Sequence, residues 1–422
     1  MCMGNLDTER VLAHVQRMVQ ANLKEGHDNA LNVDYSYICP SNENPWQWFW
    51  NSCFHAIAIA HVNPAQAALE LETLIATQRD DGSMGHTHFW GAKLGGLRHV
   101  VGLGQSLPGE LLKGTALIQP PMLAQAVERV AQISNDPTLP LKFMARLDRY
   151  HEWLVFNRAP DEDGLLIIVS PDEAGATRSP TLDEALGFKS PPRRWRMGLK
   201  NTWIDVRNWL ASYDSNKMMD NAQFLVKDAL VNGVYSDSLS TMARMHREQG
   251  NSRSADAYDG LARKVTESML EKLLDRGNGG FMSLVGRQER RVLPCTVGSL
   301  VPLIMPGIPQ DISDELVERH VTRRDKFWMR YPIPSVAANE DTFELRRQKM
   351  TWRGPTSVNT NWLVWRGLRR HGHEEVAGHL ASRTVEMVAQ EGLREFYNPL
   401  NGEGLGARSF GSSALALDMA IV

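Results

Sequence analysis

Asn44-Pro-Trp-Gln-Trp-Phe-Trp-Asn-Ser-Cys-Phe-His-Ala-Ile-Ala58 is the stretch on which the reading of the fold turns. Four large rings, Trp46, Trp48, Phe49 and Trp50, run straight into an apolar, helix-forming segment. That is more aromatic surface than an ordinary loop carries. Aromatic faces stack on the apolar faces of sugar rings, and clustered rings commonly line a pocket. Trp46, Trp48 and Trp50 are therefore candidate substrate-binding residues, with core anchoring as the plainer alternative.

Outward from this stretch, helical periodicity dominates. Val11, Leu12, Val15, Met18, Val19 and Leu23 repeat at three- and four-residue spacing over 7–24, as one buried helix face requires. Ala67, Ala68, Leu71, Leu74 and Ile75 do the same over 64–78, after the helix-opening pair Asn63-Pro64. Further helices are expected near 119–134, 140–157, 218–249, 252–275, 312–322, 359–371, 373–391 and 410–421. Strand alternation is rare, with Leu165–Val169 the best candidate. No fixed-period repeat marks a solenoid. A closed ring of helical hairpins explains the tryptophan-bearing loops together, because loops at one end of a ring converge on a central pocket. No linker or compositional break divides the chain. One all-α domain over 1–422 is expected, with long pocket-forming loops at 79–117 and 160–215.

The bulk numbers narrow the function. With 422 residues and a net charge of −3 there is no electrostatic case for a nucleic acid or membrane-surface partner. No apolar run reaches membrane-spanning length, and the acidic, apolar-poor N-terminus does not read as a secretory signal. Cys2, Cys39, Cys53 and Cys295 show neither metal spacing nor a disulfide framework. The expectation is a cytoplasmic protein acting on a small molecule without a cofactor, with homo-oligomerisation left open. The 12 tryptophans exceed what core packing needs, and several fall in loops, which favours a ligand pocket.

Trp48-Phe-Trp-Asn-Ser52 resembles the Trp-Phe-Trp-Asp-Ser pattern of inverting α-glycosidases related to trehalase, glucosidase I and mannosylglycerate hydrolase. Gln78-Arg-Asp-Asp-Gly-Ser-Met-Gly-His86, Gln119-Pro-Pro-Met-Leu-Ala124, Trp352-Arg-Gly-Pro-Thr-Ser-Val-Asn-Thr-Asn-Trp362 and Glu395-Phe-Tyr-Asn-Pro-Leu-Asn-Gly402 are similar to later segments of that family, in the same order. The resemblance spans nearly the whole chain and is nearest in size to bacterial enzymes acting on mannosylglycerate and glucosylglycerate. It implies an (α/α)6 barrel and hydrolysis of a small α-linked glycoside with inversion. It also places Asn51, His86, Gln119, Trp352, Arg353, Ser357, Tyr397 and Ser412 at or beside the sugar pocket.

Inverting hydrolysis wants two carboxyls. One, protonated, donates to the departing glycosidic oxygen; the other, ionised, activates a water on the opposite sugar face. The resemblance puts the base at Glu395; a solvated helix-end glutamate is the plainer alternative. The donor segment, Glu-Ser-Gly-x-Asp-x-Ser-Pro in the family, reads Glu173-Ala-Gly-Ala-Thr-Arg-Ser-Pro180 here, so Thr177 occupies the acid position. A threonine hydroxyl is no general acid near neutral pH, and loss of a positioned acid costs on the order of 10²–10⁴ in rate. Asp172, Glu173, Asp183 and Glu184 are candidate substitutes in the same loop, against the alternative that Glu173 braces the loop and Asp183 and Glu184 cap a short helix.

Asn51, Ser357 and Ser412 also depart from the family pattern, in places where it has an aspartate and two tryptophans. All four departures adjoin the implied pocket while the scaffold motifs persist, which reads as a remodelled active site. Two alternatives remain: a repurposed catalyst on the same scaffold (an isomerase, lyase or cyclase) and a catalytically silent carbohydrate-binding homologue. Arg353, stiffened by the Gly-Pro after it, suits a hydroxyl or carboxylate, or else a structural ion pair. Arg178, Arg193, Arg194 and Arg196 either recognise an anionic substrate such as glycerate or form a solvated basic loop. His86 and His88 lack a third metal ligand, so a sugar-hydroxyl contact suits them better.

Overall fold

The computed structural model describes residues 5–29, 31–91, 108–109, 114–189, 192–220, 224–345 and 351–422. Most of the expected 79–117 loop, at 92–107 and 110–113, lies outside them, as does Cys2. Helices dominate, and their contacts close a ring. Phe49–Ala60 packs on Leu123–Ser134, which packs on Ala229–Glu248; that helix meets the short Val301–Ile304 turn, which meets Val358–Arg370. Val358–Arg370 in turn touches Gly411–Leu415, which returns to Phe49–Ala60. These six inner segments are almost wholly buried.

Outside them lie Pro64–Ala76, Leu139–Arg158, Ser252–Ser268, Gln310–Leu316, Glu374–Glu391 and the N-terminal helix Asn5–Asn22. The N-terminal helix packs on the C-terminal helix Ala416–Ile421, so the two ends of the chain complete the sixth pair. The Asn63-Pro64 opening works as its residues suggest: Asn63 Oδ1 accepts from the Gln66 N–H at 3.1 Å, with proline at the first helical turn.

Three expectations need correcting. Leu165–Val169 forms no strand beyond a single bridge from Ile168 to Val226. It is buried on both sides, and three of its amides go to side chains instead: Leu165 N–H to Asp163 Oδ1 at 3.0 Å, Leu166 N–H to Asn232 Oδ1 at 2.7 Å and Val169 N–H to Glu173 Oε2 at 2.8 Å. The helix expected from 218 starts at Ala229, because Asp228 caps it there through the Val231 N–H; Val226–Lys227 pairs instead with Leu284–Val285.

The expected 160–215 loop contains a 17-residue helix, Arg194–Leu210. Its inward face is Met197, Ile204, Asp205 and Asn208, while Trp195, Leu199, Trp203, Trp209 and Leu210 are exposed on the outer side. Apolar residues on both faces blur the amphipathic period that would have marked it. Three tryptophans are thereby accounted for outside any pocket.

Candidate functional site

A cavity of about 250 Å3 opens at one end of the ring. Trp48, Trp50, Asn51, His86, Gln119, Asp172, Thr177, Arg178, Asn201, Trp352, Ser357, Asn359 and Glu395 line it, with Phe396 and Phe410 among the remaining walls. Of the residues expected to bind substrate, seven meet here: Trp48, Trp50, Asn51, His86, Gln119, Trp352 and Ser357.

The aromatic wall is built from the strand-to-helix junction at the start of Phe49–Ala60. Trp48 stacks on His86 at 5.7 Å, and its indole N–H is buried with no partner among the described residues. Trp50 packs edge-on to Phe54, and its backbone N–H donates to Gln119 Oε1 at 2.9 Å. His86 is buried beside the Thr87 and Thr115 hydroxyls, both 2.8 Å from Nδ1, and burial pulls its pKa down to about 3, so the ring is neutral. Trp352 sits at φ +64° and meets Phe396 edge-on at 5.2 Å.

Glu395 lies on the strand Arg394–Tyr397, paired with Gly404–Arg408. Its Oε2 accepts the Ala407 N–H at 3.1 Å. Gly406 stands at φ +69°, and a Cβ there would come within 2.6 Å of that same oxygen, so only glycine leaves the carboxylate room. Burial raises the Glu395 pKa, opposed by the Ala407 N–H and by Arg178. Arg178 therefore belongs to the cavity and not to a solvated loop. Arg193, Arg194 and Arg196 remain outside the wall.

The candidate acids separate sharply. Glu173 is fully buried and held by the Arg158 guanidinium and by the backbone N–H groups of Ile118 and Val169, at 2.9 and 2.8 Å. It braces the loop and does not reach the cavity. Asp183 is taken by Arg353 at 2.5 Å, so these two neutralise each other behind the wall. Glu184 pairs with Arg290 near the surface. Asp172 alone of the four lines the cavity, and burial pushes its pKa up to about 7 against the pull of Arg178. Thr177 lines the cavity as well.

The remaining expected residues stand apart from the cavity wall. Trp46 packs edge-on against Phe89 at 5.3 Å. Tyr397 is fully buried, its hydroxyl donating to Gly392 O at 2.6 Å and accepting from the Arg394 N–H. Ser412 lies one step behind, its Oγ accepting from Asn51 Nδ2 at 2.7 Å. Two departures from the family pattern, 361 positions apart, thus form one hydrogen bond. Among the described residues, the group with metal-ligand spacing is Asp161, Asp163 and Glu289, well away from this cavity. The ammonium groups of Lys227 and Lys272 already neutralise it.

Asn201 and Asn359 were not singled out as pocket residues by sequence reasoning, whereas Arg178 was, as one of two alternatives. Asn359 falls inside the quoted Trp352–Trp362 segment, a signal that could have found it; Asn201 sits on the helix that was read as loop.

Comparison with known proteins fits this geometry. A family model described as the mannosylglycerate hydrolase MGH1-like glycoside hydrolase domain matches residues 44–413. Mannosylglycerate hydrolase of Thermus thermophilus is 27% identical, covering 88% of this chain and 94% of its own. Glucosylglycerate hydrolase of Mycolicibacterium hassiacum is 24% identical, covering 88% and 91%. The crystal structure of a GH63 mannosylglycerate hydrolase from Thermus thermophilus with bound Tris superposes with a TM-score of 0.82, at 24% identity, over 96% of this chain and 98% of that one. The ring of helix pairs is the (α/α)6 toroid of these hydrolases.

Proposed function

The chain belongs to the mannosylglycerate hydrolase MGH1-like glycoside hydrolase family, and from that premise we propose that it hydrolyses a small α-linked glycosylglycerate with inversion, using a remodelled acid. Asp172 donates its proton to the glycosidic oxygen as the C1–O bond breaks. Glu395 takes a proton from a water that attacks C1 from the opposite face, and the new C1–OH carries inverted configuration. Trp48, Trp50 and Trp352 offer stacking faces to the sugar. Arg178, which acts electrostatically on both Asp172 and Glu395, offers a cation to a glycerate carboxylate.

The observation that carries this reading is that two carboxyls, Asp172 and Glu395, line one cavity, with burial raising the pKa of the first to about 7. A protonated donor and an ionisable base are the two groups that inverting hydrolysis needs. Thr177 favours a second reading, in which the scaffold carries out a mass-neutral conversion of another substrate.

Incubation with glucosylglycerate and mannosylglycerate, with the anomer followed by NMR, tests the proposal. The expected result is release of free sugar with inversion, reduced at least about 100-fold in Glu395→Gln. Undiminished turnover in that variant, or no sugar released from any α-glucoside or α-mannoside, would overturn it.

A further inference from the structure

Resting on the hydrolase reading above, we propose that Asn359 is a specificity-determining residue whose side-chain N–H groups donate to one sugar hydroxyl, and that Ser357 sets its orientation. Both residues line the cavity, and each is 5% exposed. Ser357 stands at the N-cap of the helix Val358–Arg370, where a serine ordinarily accepts a first-turn backbone N–H. Its side chain makes no such bond. Instead its Oγ donates to Asn359 Oδ1 at 2.6 Å, and the Thr360 N–H donates to the same oxygen at 2.9 Å. A backbone N–H can only donate, so the atom it meets is the amide oxygen and not the nitrogen. Both lone pairs of that oxygen are then in use. What Asn359 has left for the cavity is its NH2 end, with two donors.

Gln119 is oriented by the same logic. Its Oε1 accepts the Trp50 N–H at 2.9 Å, which leaves its Nε2 end for the cavity that it also lines. Two amide donors of fixed orientation therefore share one cavity with the carboxyls of Asp172 and Glu395. A sugar hydroxyl accepts through its oxygen and donates through its hydrogen, so it answers both kinds of group; an apolar ligand face answers neither. The tryptophan of the family pattern at 357 would offer a stacking face, which holds sugar rings with little regard to the hydroxyls they carry. Serine removes that face and gives its hydroxyl to Asn359, so recognition of a ring is exchanged here for recognition of one hydroxyl. Selectivity follows from the cost of a buried donor left unpaired. A sugar that lacks this hydroxyl, or carries it on the other face of the ring, strands the Asn359 N–H groups.

The test compares wild type, Asn359→Asp and Ser357→Ala on glucosylglycerate, mannosylglycerate and the analogues of each that lack a single sugar hydroxyl. Asn359→Asp keeps an oxygen for Ser357 and Thr360 and removes only the donors. In the wild type, one deoxy analogue should lose at least about tenfold in kcat/KM against its parent. Asn359→Asp should lose at least about tenfold on the parent, chiefly through KM, and nothing further on that one analogue, while its losses on the other analogues match wild type. Ser357→Ala should lose about threefold on the same hydroxyl alone, because the Thr360 N–H still orients the amide. An equal loss in Asn359→Asp on the parent and on every analogue would overturn the proposal, since Asn359 would then act only through the start of its helix. If no glycoside is turned over, calorimetric titration with glucose, mannose and their deoxy forms reads the same contact. Selectivity for one hydroxyl, lost in Asn359→Asp, would then support this assignment and count against hydrolysis alone; no binding of any sugar would overturn both.

Discussion

Asp172 and Glu173 are neighbours in one tight turn, Pro171–Glu173, and they meet opposite fates. Glu173 points into the core, where Arg158 and the N–H groups of Ile118 and Val169 occupy its two oxygens. Asp172 points to the cavity with one oxygen buried and unpartnered among the described residues. The contrast separates scaffold from chemistry without reference to any motif. A carboxylate with donors on both oxygens holds the backbone in place. One left unfilled keeps its proton and can give it away.

Substitution at the two positions should therefore break different properties. Asp172→Asn should lower kcat by on the order of 10²–10⁴, with thermal stability unchanged or higher, since an unpartnered buried oxygen is replaced by an amide. Sugar release and the unfolding midpoint, measured on the same preparation, check this. Glu173→Gln should cost about 3–5 kcal/mol of stability, because it strands the Arg158 guanidinium in the core. Denaturant unfolding reads that loss. The comparison fails if Asp172→Asn unfolds the protein while Glu173→Gln leaves its stability intact.

Gly406 extends the comparison to the third carboxyl. Glu395 is partly satisfied, by one backbone N–H from the residue after that glycine. Gly406→Ala sets a Cβ against Oε2 and imposes a positive φ on a residue that resists it, which together cost about 1–3 kcal/mol. The expected outcome is a ten- to hundredfold fall in kcat, roughly, with a smaller change in KM, because the displaced group is the oxygen of the proposed base and not a binding surface.

How much of this was legible in the sequence depends on how local the signal is. Helix faces repeat every three or four residues, so the ring could be expected from Val11 to Met419. The Trp48–Asn51 wall and Glu395 sit in stretches whose wording resembles a known family, so they too could be named. Arg194–Leu210 could not be placed, because its outer tryptophans mimic a buried face. With the helix went the cavity residue Asn201, which no motif marks. Nor could the sequence say which of Asp172 and Glu173 turns inward; that is decided by Arg158, which no reading of the turn itself includes.

Raised carboxyl pKa values also carry a stability consequence of known sign. Asp172, at about 7, and Asp205, at about 9, hold protons in the folded chain that the unfolded chain has already released, as does the core residue Glu70, at about 8. Their contribution is complete below the ordinary carboxylate range and is lost as pH rises through these values. The buried histidines act below about pH 6.5 and leave this window flat. The unfolding midpoint should therefore fall steadily from about pH 6.5 to 9. Asp205→Asn should flatten the upper part of that fall, whereas no substitution of the satisfied turn around Glu173 should change its slope.

The smallest effect is expected at Asn51 and Ser412, where the resemblance expects an aspartate and a tryptophan. Here the polar atoms answer each other, Nδ2 donating to Oγ at 2.7 Å, so the pair stands on the Glu173 side of the comparison although Asn51 faces the cavity. One neutral hydrogen bond is worth about 1 kcal/mol. Ser412→Ala should therefore raise KM less than about tenfold and leave kcat unchanged, and a double-mutant cycle with Asn51→Ala should give a coupling of about 0.5–1.5 kcal/mol. A large kcat effect from either single change would move Asn51 from support to chemistry, and with it the boundary drawn between filled and unfilled oxygens.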